Sequence, residues 1–165
     1  MKKSGYSSLA DKIQCVHAGT GTFRFRGDFR CFSVNKDFFL SFLKHQSEVL
    51  GLTQARVCFH ENNAALLQVM LVYHSMQHNV RRHLHPDKDE YLQIIKGSMS
   101  IRFYGKDQDV VKSINLSTDS QTDSDDFLCF VQRGVLHDVV INEDAYFLEV
   151  TTGPFHEHST VSVFD

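Results

Sequence analysis

The stretch Arg82-His83-Leu84-His85-Pro86-Asp87-Lys88-Asp89-Glu90-Tyr91-Leu92-Gln93-Ile94-Ile95-Lys96-Gly97 carries two histidines, a glutamate and a glycine at telling intervals. Residues two apart on a strand project from the same face, so His83 and His85 set two imidazoles side by side. Pro86-Asp87-Lys88-Asp89 bends the chain, and Glu90 opens the next strand, from which its carboxylate can return to the same point. After six intervening residues, Gly97 marks a hairpin turn. Nitrogen and oxygen donors from one hairpin make a facial set that leaves coordination positions open. A fourth donor comes from Arg133-Gly134-Val135-Leu136-His137, because neighbouring strands of a small barrel bring distant residues onto one interior wall. The candidate metal ligands are therefore His83, His85, Glu90 and His137. The expected cofactor is one divalent transition metal ion: iron, manganese, zinc or nickel.

Outward from this hairpin the chain reads as β. Period-two or apolar segments recur at 55–60, 66–74, 91–95, 98–104, 110–116, 127–131, 137–141 and 145–151, separated by Gly, Asn and Asp turns. That spacing predicts a sandwich or barrel rather than alternating β/α units. One long helix interrupts the pattern: Asn35 caps it, Phe38, Phe39, Phe42, Leu43 and Leu50 form its apolar face, and Gly51 stops it. Phe23-Arg24-Phe25-Arg26 and Phe29-Arg30-Cys31-Phe32 read as a strand pair about Gly27-Asp28. Residues 117–126 contain four acids and no apolar residue. They lack the glycine and the terminal glutamate of a calcium loop, so they read as a solvated connection. The expected organisation is a loosely ordered arm at 1–21, strands and helix at 22–54, a barrel at 55–155 and a tail at 156–165.

Alternation also sorts the interior. In a strand at 55–60, Arg56, Cys58 and His60 share one face while Val57 and Phe59 take the other. An inward Arg56 can grip a carboxylate or phosphate bidentately. Glu149 shares a face with Phe147, and an acid beside a metal can move protons, as can His60. Glu149 and His60 are the catalytic candidates. His74, His78, His156 and His158 read as surface histidines, and Lys88 and Arg81 as residues of the barrel mouth.

Composition narrows the classes. A chain of 165 residues, 42% hydrophobic, supports one sizeable core. A formal net charge of -3 supplies no global positive field for nucleic acid or an anionic membrane, so neither is an expected partner. Lys2 and Lys3 have no apolar run behind them, and no stretch reaches membrane-spanning length. Cys15, Cys31, Cys58 and Cys129 lack the paired spacing of a structural zinc site, which suits reduced thiols in a cytoplasmic protein. Cys58 reads as a small core residue.

The string His83-x-His85-x4-Glu90-x6-Gly97 resembles the first cupin motif, and Gly134 with His137 resembles part of the second. Gln77, Gln132 and Ile141 stand where those motifs carry Gly, Pro and Asn. More narrowly, Ala55-Arg56-Val57-Cys58-Phe59-His60, Gln68-Val69-Met70, His-x-His-Pro-x-Lys-x-Glu and Gly153-Pro154-Phe155 resemble the WbuC family of cupin-fold metalloproteins, over about Asn35 to Phe155. Arg82 and Leu84 replace that family's usual Pro and Arg beside the histidines. The resemblance implies a single-domain jelly-roll barrel, a double-stranded β-helix with one N-terminal helix, and relatives found among genes for bacterial surface polysaccharides. Arg56, Gln68 and Lys88 are then the ligand-binding candidates, a carbohydrate-like small molecule the partner, and a homodimer the assembly expected by analogy. Three functions fit: a sugar or sugar-nucleotide isomerase or epimerase, an iron-dependent dioxygenase, and a non-catalytic small-molecule-binding module.

Overall fold

The computed structural model describes residues 9–118, 126–156 and 158–163. Most of the acidic connection expected at 117–126 lies outside them. The strands are β1 (Ile13–His17), β2 (Thr22–Phe25), β3 (Gln54–Cys58), β4 (Leu67–His74), β5 (Asn79–Leu84), β6 (Glu90–Lys96), β7 (Ser98–Tyr104), β8 (Val110–Ser117), β9 (Leu128–Val131), β10 (His137–Ile141), β11 (Ala145–Thr152) and β12 (Val161–Ser162), with helix α1 at Lys36–Leu50. They form a seven-stranded sheet, β1-β2-β3-β4-β11-β6-β9, and a five-stranded sheet, β12-β5-β10-β7-β8. The crossing of sequential strands between two facing sheets is the cupin architecture, a jelly-roll double-stranded β-helix.

At β3 and β4 the seven-stranded sheet is buried on both faces, which explains the long apolar run of β4. Met70 and Val72 face inward with Cys58, Leu92, Ile94 and Phe147, against Met99, Ile101, Leu116, Val139 and Ile141 of the other sheet. Leu71 and Tyr73 face outward with Ala55, Val57 and Phe59, beneath Phe39 and Leu43 of α1. Helix α1 forms because Asn35 accepts a hydrogen bond from the Phe38 amide at 2.9 Å, satisfying a first-turn donor. It ends at Gly51, whose φ of 65° suits a residue without Cβ.

The two ends of the chain differ from the sequence reading in three places. Residues 13–17, expected within a loose arm, pair with β2 as β1. Residues 29–32 form no strand; β2 instead runs parallel to β3, and Phe29, Phe32 and Phe59 cluster around Phe25. In the expected tail, Val161 and Ser162 pair with Leu84 and His83 of β5. Cys58 and Cys129 are buried in the barrel, as read for Cys58, while Cys15 and Cys31 are exposed and all four are free thiols.

Candidate metal centre and cavity

His83 on β5 and His137 on β10 are direct cross-strand neighbours, and His85 follows two residues after His83. Their rings gather with centroids 4.3 Å apart for His83 and His137, 5.0 Å for His83 and His85, and 5.7 Å for His85 and His137. One ring nitrogen from each lies within 4.8 Å of the others, so the three can hold a metal ion. Glu90 approaches from the opposite sheet, with Oε2 3.4 Å from His137 Nε2 and 3.8 Å from His85 Nε2.

The backbone sets the tautomers. Each Nδ1 faces a carbonyl oxygen: Arg81 for His83 at 2.8 Å, Ser159 for His85 at 2.8 Å and Val135 for His137 at 2.9 Å. A carbonyl can only accept, so Nδ1 carries the proton and Nε2 keeps its lone pair for a metal. His137 Nε2 is buried with no hydrogen-bond partner. A buried acceptor beside two others and a carboxylate suits a metal ion, which would satisfy all four donors. Burial pushes the Glu90 carboxyl upward, but the imidazoles of His137, His85 and His83 outweigh it and hold it below the usual range.

The connection between His85 and Glu90 is pinned. Asp89 receives the backbone N–H and Nε–H of Arg133, both at 3.0 Å, and Nη2–H at 2.6 Å. Arg133 thereby holds the Asp89 carboxyl down at about 2. The Gly134 amide donates to the His85 carbonyl at 2.7 Å, tying the turn before His137 to the first histidine strand. Behind His137, Asp138 turns outward and accepts from Arg102 Nε at 2.9 Å and Tyr104 Oη at 2.7 Å. These supports escaped the sequence reading because Asp89 and Arg133, like Asp138 and Arg102, are far apart in the chain.

A cavity of about 380 Å³ opens over the histidines and reaches Arg56, His74, His78, Phe147 and Glu149. The alternation read for β3 holds: Arg56 lines the cavity, while Val57 and Phe59 pack under α1. Glu149 also lines it. Burial, then the Glu90 charge, pushes its carboxyl up to about 7, against the pull of Arg56 and Lys88. His60, Gln68 and Lys88 are not among the residues lining this cavity. His60 is buried with Nδ1 within 3.3 Å of the Val69 backbone. Gln68 donates to the Asn63 carbonyl at 2.9 Å. Lys88, expected at the mouth, is buried with Nζ 4.5 Å from the Phe155 ring centroid. His74, expected on the surface, is only 7% exposed and points inward because it continues the inward register of Met70 and Val72.

A domain of unknown function, DUF6016, matches residues 44–116, which include His83, His85 and Glu90 but less than half of the chain. No curated protein matches the sequence. Among solved structures, CapF in complex with 3-isopropenyl-tropolone superposes with a TM-score of 0.53 at 16% identity, over 67% of this chain and 32% of CapF. A Shewanella oneidensis protein gives 0.50 at 11% identity, over 64% of this chain and 66% of its own. A Klebsiella pneumoniae protein with a double-stranded β-helix domain gives 0.48 at 14% identity, over 67% and 79%. The chain spans about a third of CapF. The CapF and Shewanella superpositions agree with the topology above: the chain has the cupin fold, with three histidines placed to hold a metal.

Proposed function

We propose that the chain is a metal-dependent cupin of the WbuC type that isomerises or epimerises a sugar or sugar-nucleotide-like molecule in bacterial surface polysaccharide biosynthesis. The observation that carries this reading is the meeting, in one cavity, of three open Nε2 atoms with a partly buried acid whose carboxyl is poised near neutrality. His83, His85, His137 and Glu90 are the ligands, and a divalent ion bound there supplies Lewis acidity that polarises a carbonyl or hydroxyl oxygen.

The protein's own part is proton transfer and positioning. With its carboxyl pushed up to about 7, Glu149 can take a proton from a carbon beside a carbonyl and return it to the neighbouring carbon while the hydroxyl proton passes to the former carbonyl oxygen. In an epimerisation the proton on the opposite face comes from solvent, because one carboxyl reaches one face. Arg56, at the middle of β3 in the wall of the same cavity, orients the ligand by its fixed charge. Phe147 and Leu92 line the wall and exclude water from one side.

Isomerases and epimerases of this kind exchange a carbon-bound hydrogen with solvent. The test incubates metal-loaded protein in deuterium oxide with UDP- and dTDP-linked hexoses, free aldoses and hexuronates, and reads deuterium at carbon by NMR. The expected result is exchange on one of them, abolished by EDTA and reduced at least 100-fold by Glu149→Gln. Exchange that survives either treatment, or its absence with every sugar, overturns the proposal.

A further inference from the structure

The cavity has a second polar corner that the metal ligands leave unused. Gln54 of β3 pairs directly with His74 of β4, and Arg56 lies two residues along on the same inward face. His78 folds back so that its ring lies 4.0 Å from that of His74, centroid to centroid, and its Nδ1 is 2.9 Å from Thr53 Oγ1. His74 packs edge-on against Phe147 at 5.2 Å, yet its Nδ1 is buried without a hydrogen-bond partner. Arg56 Nε is likewise buried and unpartnered; Nη2 reaches only Gln54 Oε1, at 3.3 Å. Arg56 makes no ion pair among the described residues. Buried polar atoms almost always find partners within a protein. Two open ones in a single corner mark the place of a ligand atom.

The charge of the corner narrows what that atom belongs to. Burial, and then the neighbouring positive charge, hold both histidines below their ordinary range, so they are neutral near pH 7 and Arg56 carries the charge of the corner, with Arg81 further along the same cavity wall. A guanidinium fork with neutral imidazoles around it matches a planar, singly charged oxyanion. A doubly charged phosphate would bring excess negative charge toward Glu149 and Glu90.

We propose that Arg56, His74 and His78, with Gln54, form a carboxylate subsite, and that the ligand is a sugar acid whose carboxylate docks there while its hydroxyl or carbonyl oxygens face His83, His85 and His137. This rests on the small-molecule reading above and narrows its substrate class. The two groups line one cavity of about 380 Å³, room for a molecule of monosaccharide size that spans both.

The test follows histidine Cε1–Hε1 NMR signals, assigned with His74→Asn and His78→Asn, as the full chain is titrated with glucuronate, glucose and glucose 6-phosphate. Each titration is run on zinc-loaded and on EDTA-stripped protein. Glucuronate is expected to shift the His74 and His78 signals saturably, with a dissociation constant at least ten-fold below that of glucose in both forms. Arg56→Gln removes that ten-fold advantage, and Arg56→Lys, which keeps the charge without the fork, retains part of it and guards against a folding artefact. Equal binding of glucuronate and glucose, a preference for glucose 6-phosphate, no saturable shift, or indifference to both substitutions overturns the subsite. Because the shifts are read without metal as well, the subsite stands or falls separately from deuterium exchange.

Discussion

Gly97 and Gly134, both singled out by spacing from the histidines, allow a paired prediction about what each turn requires. Both have positive φ, 84° and 77°. Alanine in that region costs about 1–2 kcal/mol from Cβ crowding against its own backbone. At Gly134 nothing lies within 4 Å of an added Cβ, so Gly134→Ala should cost no more than that. At Gly97 the Cβ would overlap the Asp144 carbonyl oxygen and sit 2.9 Å from its carbon. Backbone must move to relieve this. Asp144 resists, because its carboxylate accepts from the Met76 amide and the Tyr73 hydroxyl, each at 3.0 Å. Adding about 1–3 kcal/mol for overpacking brings Gly97→Ala to roughly 2–5 kcal/mol. Urea denaturation followed by circular dichroism measures both, with the difference read as a shift in midpoint at unchanged slope. Equal costs within about 0.5 kcal/mol would refute the steric argument.

Further outcomes follow from the same structure. Glu149 holds its proton up to about 7 when folded, whereas an unfolded glutamate releases it near 4.3. The folded state therefore binds more protons between those values, and EDTA-stripped protein should lose stability as pH rises from about 4.5 to 7, by on the order of 2–3 kcal/mol. Glu149→Gln should flatten that slope in urea melts, and an unchanged slope would assign it to another group. Leu43, fully buried between α1 and the sheet, should cost about 2–5 kcal/mol on truncation to alanine while leaving metal content per folded chain unchanged. Asn35→Ala removes the cap of α1 and should cost about 1 kcal/mol, measured the same way. Asp138→Ala leaves Arg102 and Tyr104 without their acceptor and should cost about 1–3 kcal/mol.

What the sequence made legible follows from how local each signal is. The helix was readable because Asn35, Gly51 and the phenylalanine spacing are contained in one segment. The barrel strands were readable because their inward and outward residues alternate in hydrophobicity. β1 and β12 are hard to read because they are short and mostly exposed, so Ile13 with Cys15 and Val161 with Val163 give only two alternating positions each; pairing with β2 and β5 makes them strands. His74 reads as a surface residue because imidazole is polar, although the inward register of Met70 and Val72 points it inward. The alternation that placed Arg56 correctly gave no warning that His60, at the end of the same face, turns to the Val69 backbone. Lys88 reads as a mouth residue because lysine is usually solvated, and nothing in its own segment shows that Phe155, 67 residues on, lies beneath its ammonium.

Elemental analysis by plasma mass spectrometry tests the central claim most directly, comparing the purified protein with a His83→Ala, His85→Ala double variant expressed identically. The account predicts about one divalent transition metal ion per chain in the wild type and loss of it in the variant. A wild type without metal, or a variant that keeps it, would contradict the assignment of this cavity as a metal centre.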